Sequence, residues 1–209
     1  NTSLDITLAG NLSGTAVMIH SGANGKITFD GTGDQSSTFT GRLPNVTVNK
    51  LSGTLTFSND FAISNKFTYV SGNVVFTGTT LSFTHSDHWS IDSGAVDFNN
   101  VIVNKCPSCD MTVIGTMKVG GDFTLIQNQA FNSGTIEIKG NLTSTDTASS
   151  GSATIVLAGT NDQVVTVGSN DLPNGLFTIN KASGKVSLGD NLTLNGTGQD
   201  LTVTSGTLD

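Results

Sequence analysis

Apolar residues recur at every second position in very short runs along this chain: Ile27/Phe29, Val46/Val48, Leu55/Phe57, Leu81/Phe83, Val101/Val103, Ile136/Ile138, Leu192/Leu194 and Leu201/Val203. A period of two sends alternate side chains to opposite faces of a pleated strand, so each run predicts a half-buried β-strand. The runs last three to five residues and are bounded by Gly, Asn, Asp or Ser, which tolerate left-handed backbone or bond their own main chain and so predict turns. No window repeats apolar residues at i, i+3, i+4 and i+7 over a helical length. The pattern predicts an all-β protein.

One strand is written three times: Asn45-Val46-Thr47-Val48-Asn49-Lys50, Asn100-Val101-Ile102-Val103-Asn104-Lys105 and Gly175-Leu176-Phe177-Thr178-Ile179-Asn180-Lys181, each followed by a turn. The likeness extends further. Gly31-Thr32-Gly33-Asp34-Gln35 answers Gly159-Thr160-Asn161-Asp162-Gln163, and Leu43-Pro44-Asn45 answers Leu172-Pro173-Asn174. The offset grows from 128 (31 to 159) through 131 (50 to 181) to 134 (71 to 205), as expected when turns absorb length and strands do not. Repeats therefore cover about 27–76, 96–154 and 155–209, inside one elongated domain spanning 1–209, with a smaller unit close to twenty residues marked by Ser-Gly strand starts.

Three architectures compete: a sandwich, an antiparallel barrel and a parallel solenoid. Sandwiches and barrels use strands of five or six residues and many two-residue hairpin turns, whereas here most turns are longer than the Asn-Gly and Asp-Gly pairs allow. The expected fold is a single-stranded parallel β-helix; at about twenty residues per coil and about 4.8 Å between stacked strands it makes roughly ten coils and a rod of roughly 50 Å. Inward apolar residues should stack as ladders, with the 11 Phe residues supplying much of the buried area. Asn49, Asn104 and Asn180 are candidate corners, either bonding from coil to coil or acting as plain turn formers.

Composition agrees: Gly totals 25 and Glu137 is the sole glutamate. Charged residues are 12%, with a net charge of −7. A nucleic-acid surface needs clustered Lys and Arg, and Arg42 is the one arginine, so nucleic acid is not expected as a partner. No stretch approaches eighteen apolar residues, so no membrane insertion is expected. The chain shows no signal peptide and Asn1 is not a start methionine, which reads as a mature or excised segment. Six Asn-x-Ser/Thr sequons, starting at Asn1, Asn11, Asn45, Asn141, Asn191 and Asn195, are glycan acceptors by motif alone.

The two cysteines, Cys106 and Cys109, follow the second Asn-Lys directly and replace the glycine-containing turns Leu51-Ser52-Gly53 and Ala182-Ser183-Gly184 of the other copies. A disulfide there closes the turn and implies an oxidising, extracellular or cell-surface setting. A thioredoxin-like site needs a helix after the pair, and Asp110-Met111-Thr112-Val113-Ile114 reads as a strand. Zinc needs two more ligands. No metal or cofactor is expected, and no Asp-x-Asp-x-Asp-Gly calcium loop occurs.

The segment from Phe177 to Gly196, followed by Leu201 to Asp209, resembles the repeats of large secreted bacterial surface proteins, in the style of filamentous-haemagglutinin and autotransporter passenger domains. The resemblance implies a right-handed β-helix serving as stalk, adhesin or coat component, and it implies no catalytic residues.

Other chemistry is sparse. His85-Ser86-Asp87-His88-Trp89 holds two of three histidines and the single tryptophan; on one strand His85, Asp87 and Trp89 would share a face and offer a metal or sugar contact, or else Trp89 closes a strand end. Parallel β-helices also host polysaccharide lyases and hydrolases, which need converging carboxylates; the fifteen aspartates fall mostly in turns. The pairs Thr54/Thr56 and Thr202/Thr204 hint at ice-binding faces but are too few for a ladder. The repeat is still running at residue 209 and no capping helix is predicted at either end, so open strand edges predict self-association through terminal coils, or pairing with neighbouring domains of a longer chain. The expected function is a non-catalytic extracellular structural or adhesive β-solenoid, with a carbohydrate-binding or polysaccharide-degrading β-helix protein as the alternative.

Overall fold

The computed structural model describes residues 5–15, 17, 25–85, 88–168 and 171–209. In chain order its strands are β1 (Asp5–Leu8), β2 (Lys26–Phe29), β3 (Gln35–Ser37), β4 (Arg42–Leu43), β5 (Asn45–Phe57), β6 (Phe61–Ile63), β7 (Phe67–Phe76), β8 (Thr80–His85), β9 (Trp89–Asp92), β10 (Asp97–Phe98) and β11 (Asn100–Lys105). They continue with β12 (Asp110–Ile114), β13 (Thr116–Val119), β14 (Phe123–Gln127), β15 (Ala130–Asn132), β16 (Thr135–Ile138), β17 (Leu142–Ser144), β18 (Thr154–Leu157), β19 (Gln163–Thr166), β20 (Phe177–Leu188) and β21 (Leu201–Leu208). No helix occurs among the described residues.

Strand pairing is parallel throughout, and partners lie from 19 residues apart (Lys26 to Asn45) to 25 apart (Asn180 to Ser205). The chain therefore winds a β-solenoid of about ten coils. Sorting the pairs gives three columns of stacked strands. Side one is β1, β2, the first part of β5, the first part of β7, β9, β12 and β15. Side two holds β3 and the second parts of β5 and β7, and then β10, β13, β16, β18 and the first parts of β20 and β21. Side three holds β4, β6, β8, β11, β14, β17, β19 and the ends of β20 and β21. The coils from β2 to β17 each make three short strands and three corners, and beyond β15 side one carries no named strand. β5, β7, β20 and β21 run through a corner without leaving the sheet, and their register shifts mark the bend.

The core is three apolar ladders facing one another: Ile27–Val46–Phe67–Ile91–Val113 on side one, Phe98–Val119–Ile138–Leu157–Ile179 on side two and Phe61–Leu81–Val101–Phe123–Leu142–Val165 on side three. These members are buried, each contributing about 1.5–3 kcal/mol when fully removed from water. Phe57 stacks on both Phe61 and Phe76 with centroids 4.8 Å apart, and Phe76 meets Phe98 edge-on at 5.1 Å.

The threonine-pair expectation holds at Thr54 and Thr56, while other threonines do stack. Thr54 and Thr56 stack on Asn73 and Val75, but single-row ladders do form elsewhere, as Thr7–Thr28–Thr47–Thr68, Thr116–Thr135–Thr154 and Thr124–Thr143–Thr166. The side-one row runs beside Asp5–Lys26–Asn45, so no flat double threonine face results.

Candidate functional site

The three Asn-Lys copies occupy three different corners. Lys50 ends a side-one strand, Lys181 a side-two strand and Lys105 a side-three strand. The interchangeable unit is therefore one strand with its corner, a third of a coil, and residues 155–209 repeat 27–76 one side further round the stack. The sequence likeness of the three copies does not tell on which side each one lies.

Asn49 and Asn180 stand at the bends, and each accepts a hydrogen bond from a serine of the next coil: Ser71 Oγ to Asn49 Oδ1 at 3.2 Å and Ser205 Oγ to Asn180 Oδ1 at 3.1 Å. Asn104 lies at the register shift between β11 and β14 and is exposed. The residue beside each asparagine matters more. Lys50 and Lys181 are each 1% exposed and Lys105 is 3% exposed, although lysine is almost never fully buried without partners.

Lys50 Nζ donates to Gly31 O at 2.6 Å, Gly33 O at 2.9 Å and Gln35 Oε1 at 2.7 Å. Gln35 in turn donates through Nε2 to Leu8 O and Gly10 O of the coil below, at 2.9 and 2.7 Å. Above, Ser71 Oγ donates to Lys50 O at 2.8 Å. Gly72 has φ +113° and passes so close that a Cβ there would stand 2.6 Å from Lys50 Cβ. The second copy reproduces this arrangement. Lys181 Nζ donates to Asn161 O and Gln163 Oε1, both at 2.7 Å, and Gln163 Nε2 donates to Ile138 O at 3.0 Å and to Gly140 O. Ser205 Oγ donates to Lys181 O at 2.8 Å, and Gly206 covers the lysine stem.

Each cage joins three coils through one ammonium and one amide, and a serine hydroxyl on the lysine carbonyl ties in a fourth. Burial of an ammonium is costly, and charge-assisted bonds to neutral oxygens offset that cost. Burial holds Lys181 below its ordinary value, opposed by the Asp162 charge. Sequence reading passed over these lysines. The available signal was a Gln 15 or 18 residues ahead of a recurring Lys in a charge-poor chain (35 to 50 and 163 to 181).

Lys105 has different neighbours: Nζ donates to Ser64 O at 3.1 Å and stands 4.7 Å over the Trp89 ring, a cation–π contact. Trp89 is 3% exposed and stacks on Phe83 at 4.4 Å. Its ring faces inward and presents no platform to a sugar. His85 and Trp89 do not share a strand face as the sequence suggested, because β8 ends at His85 and β9 begins at Trp89 across a corner. Ser86 and Asp87 lie outside the described residues, as does the side chain of His85. His88 is exposed, and its Nδ1 accepts from Asp110 N at 3.1 Å. Cys106 and Cys109 form a disulfide across the turn, with Cα atoms 5.2 Å apart.

Two places bear on catalysis. Burial pushes the Asp146 carboxyl above its ordinary value, with Asp171 adding to the rise against backbone hydrogen bonds to its carboxylate. A raised carboxyl suits general-acid work, but Asp146 is buried and accepts from Asn128 N and Ala148 N. A shallow groove of about 640 Å³ runs along side three past Arg42, Asp60, Phe61 and Ser82. Asp60 Oδ1 already accepts from Thr80 N at 2.6 Å, and among the described residues no second carboxylate lines the groove. Among the described residues no three His, Cys, Asp or Glu side chains gather as a metal would need. Comparison with protein-family models, curated proteins and solved structures returned no match.

Proposed function

We propose that this chain is a non-catalytic extracellular structural or adhesive β-solenoid: a segment of a surface stalk or adhesin, or a fibre-forming subunit whose coils stack end to end. The observation that carries this reading is the parallel stack of about ten coils, in which lysine cages tie coil to coil. Such a body transmits length and stiffness with each coil touching only its neighbours. On the last coil, Leu201 and Val203 sit at core register above Phe177 and Ile179 yet are 43% and 48% exposed, a surface that a further coil would cover. The Cys106–Cys109 bond supports an oxidising compartment. The style of the repeats supports kinship with filamentous-haemagglutinin and autotransporter passenger domains.

Light scattering after size exclusion, with electron microscopy of the same fractions, tests the scaffold reading. Rods that lengthen with concentration, or a rod forming part of a longer surface protein, are the expected results. Compact monomers that shorten a pectin-like polymer would overturn it. A glycan array separates an adhesive surface from a plain spacer.

A further inference from the structure

The turn Gly196-Thr197-Gly198-Gln199 leads into side two at the same kind of corner as Gly31-Thr32-Gly33-Asp34-Gln35. The hydrogen bonds match. Gln35 Oε1 accepts from Gly31 N at 3.1 Å and Gln199 Oε1 from Gly196 N at 2.9 Å. Gln35 Nε2 donates to carbonyls of the coil below, and Gln199 Nε2 likewise donates to Pro173 O at 2.9 Å. Both glutamines are buried. Gln35 Oε1 also accepts Lys50 Nζ, delivered by the next coil, and Gln163 Oε1 accepts Lys181 Nζ in the same way. The third turn is one residue shorter, with Asp200 following the glutamine where Asp34 precedes it.

We propose that Gly196–Gln199 is the acceptor half of a third lysine cage, and that its occupant is the lysine of an extended Asn-Lys strand laid parallel on residues 192–203. This rests on the coil-stacking reading above and names the partner's chemistry. The strand before the lysine covers Leu192 and Leu194, which pack against the end of the core, and the strand after it covers Leu201 and Val203. Residues 44–57 of this chain have the required form, because on their own side they lie over β2 and β3 with Lys50 between. A second copy set down through its residues 5–12 does not: it brings Ala9, Gly10 and Asn11 to the corner and no ammonium.

The test uses the isotope-labelled 209-residue chain and two synthetic peptides of residues 44–57, one unaltered and one with norleucine in place of Lys50. Saturable amide shifts at Gly196, Gln199 and Leu201–Val203 are expected with the lysine peptide, and at least tenfold weaker binding with the norleucine peptide. Gln199→Met should weaken the lysine peptide to the norleucine level while leaving the norleucine peptide unchanged. Equal affinity of the two peptides for the unaltered chain would remove the lysine cage and leave strand stacking standing. Binding of neither peptide, shifts elsewhere, or end-to-end self-association that Gln199→Met leaves intact would overturn the proposal.

Discussion

Lys50 shows how a single side chain decides the behaviour of a corner. Its ammonium satisfies three oxygens at once, those of Gly31 and Gln35 buried and that of Gly33 part-buried, so Lys50→Met keeps the stem and strands the acceptors. Leaving a buried acceptor without its donor costs about 1–3 kcal/mol, and the urea midpoint should fall accordingly; an unchanged midpoint would mean that water replaces the ammonium at no cost. Lys181 adds a pH signature. Because burial depresses its folded value below 10.5, the unfolded chain binds this proton more tightly. The Lys181 contribution is thus present above 10.5 and lost as pH falls through the folded value. Stability measured across that alkaline window should rise with pH from this group, and Lys181→Met should lack the rise.

At the scale of the strand and its corner, chain direction rather than side-chain type is critical. Gly72 lies at φ +113° against Lys50, a backbone region that L side chains rarely adopt. Gly72→Ala should cost more than the roughly 0.4–1 kcal/mol that such a change gains where the backbone suits alanine, with the opposite sign; denaturation of the purified variant reads it directly. The Cys106–Cys109 turn is a different solution to the same bend. A loop this short restrains the unfolded chain little, so reduction should cost only about 1–2 kcal/mol, a fall of several degrees in Tm at most. A collapse of the whole fold on reduction would show that the bond does more than close one corner.

Across the whole molecule, each coil is held by its two neighbours, so stability should fall towards the exposed end of the stack. Hydrogen exchange should be at least about tenfold faster in β21, whose residues are largely exposed, than in β11 and β14, which are paired on both edges. Uniform protection from end to end would mean that the last coil is covered in solution, by a second copy or by some other contact. The same geometry explains why the aspartates scatter: corners recur on three sides, and turn residues such as Asp34 and Asp162 serve the next coil by accepting from Thr54 N and Lys185 N.

The period-two apolar pairs, the short runs and the recurring Asn-Lys strand were enough to establish an all-β, parallel, coiled architecture, because burying one face of a short strand demands that alternation wherever the strand sits. The location of the bends was equally legible, since Gly, Asn and Ser-Gly carry their conformational preference locally. What the sequence left open was which side each copy would occupy, because a strand with its corner packs alike on all three sides and only accumulated turn lengths choose among them. The burial of Lys50, Lys105 and Lys181 was likewise decided by the stack: an ammonium enters a corner only where the coil beneath has already turned its carbonyls and a glutamine inward. Trp89 was drawn into the core by the stack as well, where Phe83 and the Lys105 ammonium close over its ring.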